Sequence, residues 1–184
     1  MTNIHSYRGI VPLAATICFL LGSFTYFRLG PPADLRAVIG GSPVDSTFAW
    51  KPDDLADQLN SLDDHSLSLY SGYIVGDFAF ATAFAGWGVV VLLWASQHIR
   101  LPWMLSVGTP ALVWLLEVVE NIWFLTAISS WPTLPSSSSA ISIVTSAKQV
   151  TAGIMCGVVI IGGTLALWQL HRQRAIRHQK VEPK

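Results

Sequence analysis

Long runs of apolar residues, broken by short polar connections, dominate the chain. Four runs are long enough to cross a bilayer as helices, which takes about 20 residues each: Gly9–Phe27, Tyr73–Ser96, Leu101–Ile128 and Ile141–Leu170. Between the first two lies a polar segment, 28–72, too long for a plain connector and so expected to carry structure of its own. Its first half, from Gly30-Pro31-Pro32 to Gly40-Gly41-Ser42-Pro43, is rich in turn formers. Its second half changes character. Pro52 followed by Asp53 and Asp54 marks a helix start, with proline in the first turn and acids at the positive dipole end. Leu55, Leu59 and Leu62 then recur at helical spacing, which predicts a short amphipathic helix over 52–64, its apolar stripe lying on one mouth of the bundle.

Composition strengthens the membrane reading. Hydrophobic residues make up 52% of the chain and charged ones 12%, with a mean hydropathy of +0.49; a soluble domain carries about 25% charge. The net charge of zero hides an asymmetry. Asp34, Asp45, Asp53, Asp54, Asp57, Asp63 and Asp64 face only Arg36 and Lys51 in the first loop. Arg8 precedes the first span, Arg100 lies in the second connection, and the tail 171–184 carries Arg172, Arg174, Arg177, Lys180 and Lys184. The positive-inside rule then puts both termini in the cytoplasm. The basic tail suits anionic lipid better than nucleic acid, at about 1 kcal/mol per residue near the surface. The expected fold class is therefore all-α: a four-transmembrane-helix bundle, residues 1–184 forming a single membrane domain, with a partly helical extracytoplasmic loop between the first and second helices.

Smaller signals agree. Tyr26, Tyr70, Tyr73 and Trp131 fall at the outer ends of spans, and Trp94, Trp103 and Trp168 at the inner ends, as an aromatic belt requires. Gly153 and Gly157, and more softly Ala81 and Ala85, have the spacing that lets helices approach closely. Pro110 is expected to kink the third span. No cleavage site follows the first span, which reads as an uncleaved anchor. Cys18 and Cys156 lie inside spans and read as structural thiols.

The unusual feature is charge within the spans: Asp77, Glu117, Glu120 beside Asn121, and Lys148. Each ionisable group costs roughly 2.5–3.5 kcal/mol at a helix centre, so it needs a partner, a wet cavity or a job. At about 1.5 Å per residue, Asp77 lies about 6–10 Å below the outer boundary, Glu120, Asn121 and Lys148 about 10–12 Å, and Glu117 about 16 Å. All share the outer half. Glu117, Glu120 and Asn121 also share one helical face. Three acids against one lysine leave an imbalance, to which Arg28 is a candidate second cation. A brace that fixes helix register, a binding or catalytic site, and separate snorkelling at the lipid edge are the readings these residues allow.

Tyr70, then Asp77 with Phe80 and Phe84, then Leu116-Glu117-Val118-Val119-Glu120-Asn121, resemble small uncharacterised bacterial four-span membrane proteins with an acid-x-x-Glu-Asn motif in their third helix. The likeness covers roughly 55–128. It departs at His65-Ser66-Leu67, where that group often has a Gly-Arg pair. It implies a bacterial plasma-membrane protein in which Asp77, Glu117, Glu120 and Asn121 form a linked set, and implies no activity. A looser, topological likeness is to the sterol isomerase and sigma-2-receptor-like class, in which a carboxylate faces a cationic amine or shuttles a proton; that is analogy at the level of fold.

Three functions follow as expectations. The first is a pocket in the outer half that binds a membrane lipid or a lipophilic or amphiphilic small molecule, walled by Phe80, Phe84, Trp114, Trp123 and Phe124 around Asp77, Glu117, Glu120, Asn121 and Lys148. The second is a non-catalytic subunit or assembly factor docked on a membrane-protein partner. The third is an enzyme moving protons with Glu117, Glu120 or Asp77. No cofactor is expected: phosphate loops, CxxC, HExxH and nucleophile elbows are lacking. No histidine lies inside a span to hold haem, and Asp63, Asp64 and His65 read as solvated rather than metal-binding.

Overall fold

A computed structural model describes the chain from Ile10 to Gln179, with side chains described to Gln173. Arg8, and the basic side chains beyond Gln173, therefore lie outside the described residues. The elements in order are α1 (Ile10–Leu29), α2 (Pro31–Ile39), a 3-10 turn (Val44–Ser46), α3 (Pro52–Asn60), α4 (Asp64–Ser96), a π-helical turn (Met104–Gly108), α5 (Thr109–Ser129) and α6 (Ser138–Gln179). No strand occurs among the described residues. Four segments are long and apolar enough to cross a membrane: Ile10–Ile39, Asp64–Ser96, Met104–Ser129 and Ser138–Gln173. The protein is an all-α integral membrane protein. α4, α5 and α6 pack against one another, and α1 packs on α4.

The first half of the loop is more regular than its turn formers predict. Gly30 ends α1, its N–H bonding to the Tyr26 carbonyl at 3.0 Å. Pro31 and Pro32 then open α2, where a missing N–H costs nothing because the first-turn donors are unpaired anyway. Gly40 closes α2 at φ 66°, a left-handed cap that glycine adopts without penalty. Leu35, fully buried, fixes α2 to α4. α3 follows expectation but stops at Asn60; the Asp54 carboxylate accepts the Lys51 N–H at 2.7 Å at its start. Leu55 and Leu59 face inward and are fully buried.

α4 begins nine residues before the span that hydropathy marks. Asp63 caps it, accepting the Ser66 N–H at 2.8 Å. The hydroxyl and then the N–H of Ser66 hold the Asp63 carboxyl below its ordinary pKa. With 33 residues, α4 is about 50 Å long, well beyond the roughly 30 Å of hydrocarbon in a bilayer. The excess has a purpose. Tyr70, Tyr73 and Ile74 form the floor of a second apolar core, roofed by Leu35, Val44, Trp50, Leu55 and Leu59. Segment 30–63 is thus a lid with its own core, seated on the ends of α4, α5 and α6.

Two details set the helix approach. Before Pro110, where the sequence predicts a kink, stands the π turn, and the Thr109 N–H bonds back to Met104. The close approach is at Gly88: a Cβ there would stand 2.8 Å from Met155 Sδ and 3.4 Å from Pro110 Cγ. Ala81 and Ala85 are buried on the same side of α4. Gly153 and Gly157, by contrast, have no atom within 4 Å of a Cβ position, so their spacing does not mark a contact within the chain.

Candidate functional site

The buried charges meet where α4, α5 and α6 pass beneath the lid. On α5, the buried stripe runs through Val113, Glu120, Asn121 and Phe124, and Glu117 lies at its centre by helical spacing. On α6, Ile141, Thr145 and Lys148 share the facing stripe. Lys148 Nζ reaches Glu117 Oε2 at 3.3 Å and is also paired directly with Glu120 Oε2. The Thr145 hydroxyl contacts Glu120 Oε1 and lies 3.1 Å from its own helix carbonyl at Ile141. On α4, Asp77 accepts from Asn121 Nδ2 at 3.2 Å.

The lid enters this network directly. Asp45, in the 3-10 turn and 3% exposed, accepts the Tyr70 hydroxyl at 3.1 Å and the Tyr73 hydroxyl at 2.7 Å. Tyr73 stands one turn above Asp77 on α4. Trp50 Nε1 donates to Thr145 Oγ1 at 3.1 Å, so lid and Glu120 share one threonine. Ser142 donates to the Trp50 carbonyl, and the Ala49 N–H donates to Ser146 Oγ at 3.1 Å. Ser142, Thr145 and Ser146 occupy one face of α6, which makes that face the latch plate of the lid. Between the two latches Ala49 adopts φ 52°. That left-handed conformation costs a non-glycine residue about 1–2 kcal/mol, which the flanking bonds offset.

The cluster therefore holds four carboxyls, from Asp45, Asp77, Glu117 and Glu120, against the single ammonium of Lys148. Arg28 does not supply the second cation: it is exposed at the end of α1, and among the described residues the ion pairs are the two made by Lys148. Burial pushes the Asp45 carboxyl above the ordinary aspartate value, an effect opposed by the Tyr73 and Tyr70 hydroxyls and the charge of Lys148 and reinforced by Asp77.

The aromatic residues separate from this centre. Phe80 and Phe84 stack on α1, with Phe19 at 6.0 and 5.6 Å, and Phe80 lies on Tyr26 at 5.2 Å. Trp114 is 41% exposed and donates to Thr82 Oγ1 at 3.1 Å on the outside of the bundle. Phe124 is buried beside the charges, under Trp50 at 5.8 Å. Trp123 reaches Ser137 Oγ at 2.7 Å. A helical residue's direction turns by about 100° per position, so sharing a helix with Asp77 or Glu117 does not bring an aromatic ring to it. Asp45 and Trp50 are the site residues that sequence reasoning missed. The only signal was an isolated tryptophan in an acidic loop. No potential metal site of three or more ligands occurs among the described residues.

The chain matches no protein-family model, no curated protein and no solved structure.

Two outcomes follow from the geometry of the site. Lys148→Met leaves Glu117 and Glu120 buried without a counter-charge, and is expected to cost about 3–5 kcal/mol, seen as a lowered thermal midpoint. Adding Glu117→Gln and Glu120→Gln to it recovers most of that loss, because the two carboxyls that Lys148 pairs with are then neutral. Asp45 has a folded pKa above its unfolded value of about 3.9. The folded state then binds the extra proton, so its contribution to stability falls as pH rises from about 4 through the raised value. Comparing thermal midpoints of wild type and Asp45→Asn across that range should show wild type losing ground as pH rises; parallel curves would contradict the assignment.

Proposed function

We propose that this protein binds a membrane-soluble amphiphile whose positively charged head enters the carboxyl cluster from within the bilayer, the lid lying on the outer side. Glu117 carries the reading. It occupies the centre of α5's inward stripe, yet its side chain keeps 15% of its surface accessible while Glu120, one turn away, keeps none. A carboxylate that faces the core and is still reachable supports a binding site over a closed brace. The excess of carboxyls over ammonium groups selects the sign of the head, since like charge in a poorly solvated site is strongly disfavoured and an incoming cation relieves it.

Energetics favour a binding role over a purely structural one. The paired lysine roughly offsets its own desolvation, because taking each ion out of water costs several kcal/mol. Well-packed apolar residues would hold these helices as firmly. The exposed apolar surface of α1 is what lipid contact requires and does not call for a protein partner. Carboxyls on neighbouring helices, Asp77 on α4 and Glu117 on α5, also suit proton transfer on a lipid-like substrate; chemical conversion of a bound lipid, followed by mass spectrometry, separates that enzyme from a binder.

Titration calorimetry with dodecylammonium, on protein in phosphatidylcholine nanodiscs, tests the proposal. Wild type should bind saturably. Asp77→Asn and Glu117→Gln should each weaken binding by roughly tenfold or more, the scale of one charge-assisted contact. Equal affinity in all three proteins would rule out the cluster as the head site.

A further inference from the structure

Between α1 and α4, in the half of the bundle nearer the lid, lies an apolar groove of about 400 Å³, lined by Phe19, Gly22, Tyr26, Gly76, Ala79 and Ala83 among others. Its size falls within the roughly 300–1,000 Å³ of ligand pockets. Small residues create the space: at Gly22 nothing stands within 4 Å of a Cβ position. At Gly76 the reverse holds. A Cβ there would come 3.3 Å from the Tyr26 hydroxyl, so glycine is what lets the phenol lie across α4.

That hydroxyl is covered and has no hydrogen-bond partner. A buried polar group left unpaired costs about 1–3 kcal/mol. Its ring is held flat on Phe80, 8° from parallel. Gly76, which lines the groove beneath this hydroxyl, is followed in α4 by Asp77, so the groove runs beside the helix that carries one carboxyl of the cluster.

Resting on the binding role proposed above, we infer that this groove holds the hydrocarbon chain of the amphiphile, and that the Tyr26 hydroxyl accepts a hydrogen bond from its ammonium head as the head reaches Asp77 and Glu117. The arrangement gives the unpaired hydroxyl its partner and assigns Phe80 to the wall of the chain site. A second groove of about 460 Å³ runs between α5 and α6, lined by Val119, Ile122, Trp123, Ile141 and Val144 among others. It lies on the face of α5 opposite Glu117 and has no carboxyl in its lining. The α1–α4 groove has no carboxyl in its lining either; what selects it is the unpartnered Tyr26 hydroxyl on its wall, beside Gly76, the neighbour of Asp77 in the chain.

A dodecylammonium probe carrying a diazirine in its chain, photolysed on wild-type protein in phosphatidylcholine nanodiscs, reads the chain's position without any substitution. Labelling that excess unmodified dodecylammonium removes is expected on Cys18–Tyr26 and Gly76–Ala83. Ala83→Phe, which fills the groove without touching a charge, should weaken dodecylammonium binding by about tenfold, the cost of displacing two or so methylenes. Competable labelling confined to the α5–α6 groove, or unchanged affinity in a folded Ala83→Phe protein, overturns the chain site and leaves the carboxyl head site standing. Absence of any saturable binding to wild type overturns both.

Discussion

The centre of this molecule is a set of buried carboxyls that need a counter-charge and outnumber the ammonium groups beside them. Among the described residues Lys148 is the one ammonium that reaches them, touching Glu117 and Glu120 from the facing stripe of α6. That requirement fixes the register of α5 against α6, because a shift of one residue would rotate either partner by about 100° out of the seam. It also explains the crowding by neutral donors. Thr145, Asn121, Tyr70 and Tyr73 each point a hydrogen at a carboxyl oxygen. Hydrogen bonds of this kind, donor to charged acceptor, are about twice as strong as neutral ones.

The lid is part of the same arrangement and not a separate surface feature. Its core of Leu35, Leu55, Leu59 and Trp50 gives it enough buried apolar area to be ordered, and the extended start of α4 gives it a floor. Asp45 then brings a further acid to the cluster, while Trp50 brings a donor to the threonine that serves Glu120. The lid and the carboxyl cluster are joined through these two residues.

Much of this was legible in the sequence, and the gaps have physical causes. Hydropathy located the four long helices, and a rise of 1.5 Å per residue was enough to bring Asp77, Glu117, Glu120, Asn121 and Lys148 to overlapping depths. Depth is additive along a helix, so it can be counted. Azimuth is less forgiving: Phe80, Phe84 and Trp114 sit at the right levels and turn elsewhere, because α1 and the bilayer compete for them. The first part of the lid was misread because Gly30-Pro31-Pro32 serves equally as a turn and as the opening of a helix. What decided it was tertiary, the burial of Leu35 against α4. Asp45 had no local signature at all. Its partners lie 25 and 28 residues away on α4, and only folding reveals that one acid of seven in the loop is buried.

The central claim is that these charges are kept for what they bind rather than for the stability they confer. Its most direct test is the thermal midpoint of the neutral variant that carries Asp45→Asn, Asp77→Asn, Glu117→Gln, Glu120→Gln and Lys148→Met together, compared with wild type in the same nanodiscs. Replacing a buried ion set by neutral groups of similar volume is often neutral or stabilising by about 1–4 kcal/mol. A midpoint at or above that of wild type is the expected result. A marked fall would show that the cluster is a brace, and would contradict the account.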